Sequence, residues 1–370
     1  MARRGLRRHP EGKHETRGSA GAHVAHILSL ATSLPEHRFS QQELHDVAQA
    51  VLPDTPESAS VLGIFRNAAI DQRYLARPVE WYLQPHGHQE RAAVYADVGL
   101  DLMVRAAEDA LERAGVAPAD LGGVMLVSTT GWAAPSLDAR LIDELGWPSH
   151  VRRLPVWGLG CAGGVAGLNR AAEWSHALDA PVLLLCLELC SINLELGEAL
   201  TGGALDKKAI VATALFGDGC AAALVGAEEG PEVVAGASHL FPDTPWVMGW
   251  DVTDRNMEVV LSPKIPDIVR GHAGPLVTGF LKVHGVARPD AWILHPGGAK
   301  VIDAHQDALG LSDDERGWTD DVLRRYGNMS SPTVLFELRD HLEADASPGR
   351  MLLLSALGPG FASELCLVRT

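Results

Sequence analysis

Apolar and polar positions change period along this chain, and each change predicts an element. His23 to Ser33 alternates like a first strand. Gln41 to Val51 repeats at helical spacing, with Ser40 as N-cap and Glu43 completing a capping box. Phe65 to Arg77 is mixed and reads as a loop leading into a short strand. Gln89 to Ala114 carries a long amphipathic stripe and stops at Gly115, which predicts a long helix. Asp120 to Ser128 and Ala180 to Leu189 are apolar runs of buried-strand length, and Thr129 to Pro135 is a loop behind the first of them. Glu195 to Ala209 reads as loop. A strand of small residues then ends at Gly226, and Glu228 to Glu232 forms a turn. Val233 to Val252 reads as strand and loop, Ser262 to His284 as helix, Ser312 to Asp321 as a polar loop, and Arg350 to Arg369 as a closing strand pair.

One stretch breaks this regular alternation in a chemically informative way. Val151 to Trp174 opens with Leu154-Pro155-Val156-Trp157, which reads as a buried strand. Cys161 follows among glycines, then Val165, Leu168 and Ala172 at helical spacing. Strand, tight turn, cysteine and helix N-terminus are a way to present a thiol nucleophile, because the helix end favours thiolate and should lower the pKa of Cys161. A buried structural cysteine is the alternative reading. Two other stretches place one polar side chain at the end of an element. His295 follows the apolar run Ala291 to Leu294 and precedes Pro-Gly-Gly. Asn328 stands before a helix start at Ser330-Ser331-Pro332. Taken singly, each is a core histidine or a cap residue. Taken together, Cys, His and Asn are a nucleophile, a proton partner and a hydrogen-bond donor.

Composition narrows the class. The 370 residues are 46% hydrophobic and carry a net charge of −16, which suits a large globular core and argues against a nucleic-acid-binding surface. The five cysteines form no C-x-x-C and have no partners for a zinc site, so no metal is expected. With an odd cysteine count and no secretory h-region, the expected location is cytoplasmic. No apolar run is long enough for stable membrane insertion. The first 22 residues form a basic tail, expected to be flexible. The halves echo each other: GDGCAAALVG from Gly217 matches GPGFASELCLV from Gly358, and the Cys161 unit resembles the His295 unit. That self-similarity predicts a duplicated α/β fold, with halves at 23–230 and 231–370 and a site between them.

Cys161 in GLGCAGG, His295 in ILHPGG and Asn328 in YGNMSS, with LFGDG at Leu215 to Gly219 and ALGPGF at Ala356 to Phe361, resemble the type III polyketide synthases. These are chalcone-synthase-like enzymes of the thiolase fold, built as duplicated α-β-α-β-α layers. The wording GLGCAGGVAGLNRA, LELCSIN and MGWDV looks most like the bacterial branch that makes alkylresorcinols and alkylpyrones from long-chain acyl starters. The resemblance implies that Cys161 takes an acyl starter from CoA as a thioester. His295 and Asn328 would hydrogen-bond the malonyl thioester oxygen during decarboxylation. Phe216 would gate the CoA tunnel, and Gly358, Pro359 and Gly360 would shape the cyclisation cavity. Thr129, Cys190, Asn193 and Ser330 fall at cavity-lining positions, and Ala134 where the partner of a homodimer reaches the neighbouring cavity. The implied substrates are acyl-CoA and malonyl-CoA, with no cofactor. Val259 stands where plant members carry a second gating phenylalanine, and the usual basic CoA contacts have no clear match. The small Ala134, Cys190 and Val259 suggest a cavity widened for an aliphatic starter.

Three rival readings have distinct signatures. An initiating β-ketoacyl-acyl-carrier-protein synthase would use the same residue types and stop after one condensation. A papain-like peptidase also runs Cys, His, Asn, but its cysteine has a different context near the chain start. A non-catalytic acyl-binding partner of the same fold would not need all three groups. Asp218 reads as a turn residue rather than a metal ligand. Glu188 is either a paired buried carboxylate or a cavity wall group.

Overall fold

The computed structural model describes residues 24–194, 207–254 and 256–370. The basic tail and most of the loop expected from Glu195 lie outside them. The strands are β1 (His26–Ser33), β2 (His37–Ser40), β3 (Gln72–Leu75), β4 (Gly123–Val127), β5 (Arg152–Val156), β6 (Val182–Leu189), β7 (Asp218–Gly226), β8 (Glu232–Leu240), β9 (Met248–Val252), β10 (Met257–Leu261), β11 (Ala291–Leu294), β12 (Met351–Gly358) and β13 (Ala362–Arg369). Nine of these form one sheet in the order β11-β12-β13-β8-β1-β7-β6-β4-β5.

The order contains the same unit twice. β1 pairs antiparallel with β7, β7 antiparallel with β6, and β6 parallel with β4. β8 pairs antiparallel with β13, β13 antiparallel with β12, and β12 parallel with β11. The two units meet where His26 of β1 faces Glu232 of β8.

Strand alternation sets the layers. Leu183 and Leu185 of β6 face the helix His88–Ala114, whose stripe of Val94, Leu102, Met103 and Ala106 is buried there. Leu184 and Cys186 face the opposite way, against the helices Gly163–Leu178 and Thr333–Ala344. Those two helices also bury Ile293, Leu352 and Leu354 of the second unit. Beyond it, Val277, Phe280 and Leu281 of the helix Ile265–Val283 cover Trp292, Leu353 and Leu367. The result is the α-β-α-β-α layering of a duplicated fold. The helix Gly163–Leu178 sits in the middle layer, which explains its small apolar residues on nearly every side.

Several elements differ from the sequence reading. The strand around Leu154 is not buried: β5 is the end strand of the sheet, with Leu154 41% and Trp157 56% exposed. Its Pro155 suits such an edge position. Ser312 to Asp321 is no loop. Ser312 caps the helix Asp313–Tyr326 through a capping box with Glu315, and Arg316 pairs with Asp303 and Asp320 on its charged surface. The charge density hid a helical period. A helix at Pro56–Arg66, capped by Thr55, precedes β3. Lys207–Leu215 is also helical where loop was expected as far as Ala209.

Candidate active site

Cys161 lies in a single 3-10 turn, Gly160–Ala162, that runs into the helix Gly163–Leu178. The glycines after it are required by contact. A Cβ on Gly163 would lie 2.6 Å from Val127 and 3.0 Å from Ser331, and one on Gly164 would strike the Ser331 carbonyl. The middle helix therefore docks directly on the loop that carries Asn328. From the other unit, Gly358 presses on the same turn, where a Cβ would lie 2.5 Å from the Leu159 carbonyl and 2.6 Å from Ala162. We predict that Gly358→Ala displaces the nucleophile turn and destabilises the fold by about 1–3 kcal/mol. Thermal melting together with iodoacetamide titration of Cys161 checks this; an unchanged titration would contradict it.

Asn328 follows Gly327, which ends the helix Asp313–Tyr326. Its backbone pairs with the segment bearing Phe216: Asn328 N–H donates to Leu215 O at 3.0 Å, and Gly217 N–H donates to Asn328 O at 2.9 Å. The side-chain amide has one orientation that fits. Its Oδ1 accepts from Ser330 N–H at 2.7 Å and from the Cys161 thiol at 3.9 Å. Its Nδ2 points at Gly297 O, 3.5 Å away. Gly297 N–H in turn donates to His295 O at 2.9 Å, so Cys161, Asn328 and the His295 turn are contiguous.

His295 is buried at the end of β11, anchored by its N–H to Ser355 O at 2.8 Å. Neither ring nitrogen has a hydrogen-bond partner among the described residues. Burial, with a smaller contribution from His305, pulls its pKa down to about 3, so the imidazole is neutral. The pKa of Cys161 departs from the sequence expectation. Enclosure pushes it up to about 11, opposed by side-chain hydrogen bonding with Ser330 and Asn328, while the Glu188 carboxylate adds to the rise. The helix terminus alone was a poor guide, because desolvation of the thiolate acts against it. The Cys161 thiol and the His295 imidazole are therefore both neutral.

Glu188 resolves differently from both sequence readings. It has no cationic partner among the described residues and is no cavity wall, but a fully buried hub. Its Oε2 accepts from Thr129 N–H, Thr130 N–H and Thr130 Oγ1 at 3.0, 2.9 and 2.8 Å, and its Oε1 accepts from Ser331 Oγ at 3.0 Å. Burial raises its pKa, and these hydrogen bonds oppose that rise. Thr129 Oγ1 then accepts from Gly160 N–H at 2.9 Å. Glu188 thus ties the Cys161 turn to the Asn328 loop. A lone charge within the run LLLCLEL was the signal for it.

The expected pocket positions separate into two groups. Cys190, Phe216 and Val259 share one apolar cluster with Leu194, Ile210 and Ala214, and Phe216 lies 6.2 Å from Trp250, the cross-strand neighbour of Val259. Ser330 is buried beside Asn328 with a positive φ of 61°. Gly358, Pro359 and Gly360 form the turn from β12 to β13 against Gly160. Thr129 and Asn193, by contrast, spend their side chains on backbone. Asn193 donates to Thr130 O at 2.8 Å and accepts from Met257 N–H at 3.3 Å, which fastens β10 to the Thr130 loop. Ala134 is on the surface of this chain. Asp218 is neither turn residue nor metal ligand. It opens β7 and accepts from Ala76 N–H and Ser191 N–H at 2.6 and 2.8 Å, with burial raising its pKa to about 7. No cluster suited to a metal occurs among the described residues, and no helix among them is long and apolar enough to cross a membrane.

Comparison with known proteins agrees with this geometry. The family described as chalcone and stilbene synthases, N-terminal domain, matches residues 12–229, and its C-terminal domain matches residues 232–370. The chain is 38% identical over 356 residues to 1,3,6,8-tetrahydroxynaphthalene synthase of Streptomyces peucetius subsp. caesius, covering 93% of this chain and 92% of that protein. It is 33% identical over 361 residues to 3,5-dihydroxyphenylacetyl-CoA synthase of Amycolatopsis orientalis, covering 94% of each. The crystal structure of 1,3,6,8-tetrahydroxynaphthalene synthase from Streptomyces coelicolor A3(2) superposes with a TM-score of 0.87 at 28% identity, over 93% of this chain and 99% of that one. The chain belongs to the chalcone and stilbene synthase family, the type III polyketide synthases of the thiolase fold. It is an acyltransferase of the class that condenses CoA thioesters with malonyl-CoA by decarboxylation.

Proposed function

We propose that this enzyme loads a long-chain fatty acyl group from CoA onto Cys161, extends it with malonyl-CoA, and closes the chain to an alkylpyrone or alkylresorcinol. Cys161 attacks the starter thioester while neutral His295 takes the thiol proton and passes it to the departing CoA thiolate. Malonyl-CoA then loses carbon dioxide, and the enolate oxygen is held by His295 and the Asn328 amide nitrogen. The carbanion attacks the Cys161 thioester and frees the sulfur for another round. Asparagine suits the second step because it donates without removing a proton. The single observation that carries the assignment is the contiguity of the Cys161 thiol, the Asn328 amide and the His295 turn.

The starter class rests on the apolar cluster around Cys190 and Val259, where small side chains border Phe216. Enlarging a side chain there with Cys190→Phe or Val259→Phe should shift the preferred acyl-CoA to shorter chains, read as relative kcat/KM across a graded series. An unchanged preference would contradict an aliphatic pocket there. A second reading is favoured by the relative at 38% identity: an aromatic product of the kind its name states, which carries no alkyl chain. Product formation from malonyl-CoA alone separates the two.

A homodimer completes this reading. The outer edge of β5 pairs with no described strand and exposes Leu154 and Trp157, which suits joining a second copy. The surface position of Ala134 is consistent with a loop offered to that copy. In this reading 23–230 supplies the nucleophile and 231–370 supplies histidine and asparagine, in a cytoplasmic enzyme without cofactor.

A further inference from the structure

Arg73 is the largest of the completely buried side chains among the described residues, with 0% exposure. No carboxylate lies within ion-pair distance of it among those residues. Its Nη1 donates to Phe216 O at 2.6 Å and its Nε donates to Gln41 Oε1 at 3.1 Å. Gln41 is itself anchored, donating to Ala214 O at 2.9 Å and Phe65 O at 3.3 Å. Nη2 is without a partner. On its other side the Arg73 stem lies against Gly327, where a Cβ would fall 2.7 Å from both Cγ and Cδ.

These contacts meet at one structural joint. Phe216 and Asn328 come from different halves and are joined by a short two-residue bridge. Arg73 grips the Phe216 carbonyl on one side of that bridge and fills the space under Gly327 on the other. A buried, unpaired guanidinium is a poor device for stability, since an apolar side chain of similar size commonly serves as well. Burial lowers its pKa to about 9, partly countered by the Asp218 charge.

We propose that Arg73, held by Gln41, is a positioning residue that fixes the Phe216–Asn328 bridge and so sets where the Asn328 amide meets the malonyl thioester. The inference rests on the reading that Asn328 serves the malonyl step. Loss of the grip lets Asn328 shift relative to Cys161, and misplacement of about 1 Å typically costs on the order of a hundredfold in rate.

The test measures two steps separately in Arg73→Gln, Arg73→Lys and Gln41→Met, each normalised to iodoacetamide-titrated Cys161. Acylation is followed by intact mass after mixing with an acyl-CoA, and decarboxylation by release of carbon dioxide from malonyl-CoA. Arg73→Gln is expected to keep acylation near the parent rate and to lose decarboxylation roughly ten- to hundredfold. Arg73→Lys should recover part of it, because an ammonium can still reach the Phe216 carbonyl. Gln41→Met, which leaves the charge in place, should show a smaller loss at the same step. In an Asn328→Ala background, Arg73→Gln should add little, since both act through one amide. Equal loss of both steps per titrated site, no loss, or full additivity with Asn328→Ala would overturn the proposal. If Asn328→Ala alone spares decarboxylation, the underlying reading of Asn328 falls with it. If Asn328→Ala alone is impaired and Arg73→Gln is not, only the role of Arg73 falls.

Discussion

Asn328→Ala is expected to slow malonyl-CoA decarboxylation by roughly a hundred- to a thousandfold, the usual effect of removing one oxyanion donor from an enclosed site. Acylation of Cys161 should fall far less. The amide stands 3.9 Å from the sulfur and its nitrogen faces the His295 turn, so its loss touches enolate stabilisation more than thioester attack. Single-turnover acylation and carbon dioxide release, measured on the same preparation, separate the two. Equal loss of both would mean that Asn328 holds the Cys161 turn rather than the malonyl oxygen. The amide also ties down Ser330 N–H at 2.7 Å, so Asn328→Asp is a useful control. It keeps that acceptor, removes the donor, and should show the same split.

Cys161→Ala should abolish covalent loading altogether, and with it every product that contains a starter acyl group. Intact-protein mass after incubation with acyl-CoA should show no adduct, whereas the parent gains one acyl mass. The other four cysteines are buried in the sheet or beneath it, whereas Cys161 is partly exposed. An acyl adduct retained in Cys161→Ala would place the nucleophile elsewhere. Malonyl-CoA decarboxylation should persist in this variant, because in the proposed mechanism that step uses His295 and Asn328 but no thioester on sulfur.

Much of this could be read from the sequence for a physical reason. Cys161, His295 and Asn328 each stand at the end of an element, next to glycines or a proline, and such junctions interrupt apolar periodicity. The duplicated order β1-β7-β6-β4 and β8-β13-β12-β11 was foreshadowed by the repeat of GDGCAAALVG as GPGFASELCLV. The helix at Gln41 was marked by its own capping box, since that signal is local.

What the sequence hid depends on contacts between distant segments. Leu154 looked buried because it is apolar, yet burial depends on strand order, and β5 came last. Asp313–Tyr326 looked like loop because eight of its fourteen residues are charged and hide the helical period. Arg73 and Gln41 gave no sign, for a basic residue in a short strand is usually solvated. Thr129 and Asn193 hold backbone through their polar atoms, contacts that the local sequence does not mark. The pKa of Cys161 turned on enclosure, a property of the assembled halves and not of the helix that follows it.

The most direct test incubates the enzyme with malonyl-CoA and acyl-CoAs of graded chain length, and reads the products by mass spectrometry. The account predicts triketide or tetraketide pyrones or resorcinols that retain the starter and peak at long chains. A product formed equally well from malonyl-CoA alone, or one that stops after a single condensation, would contradict it.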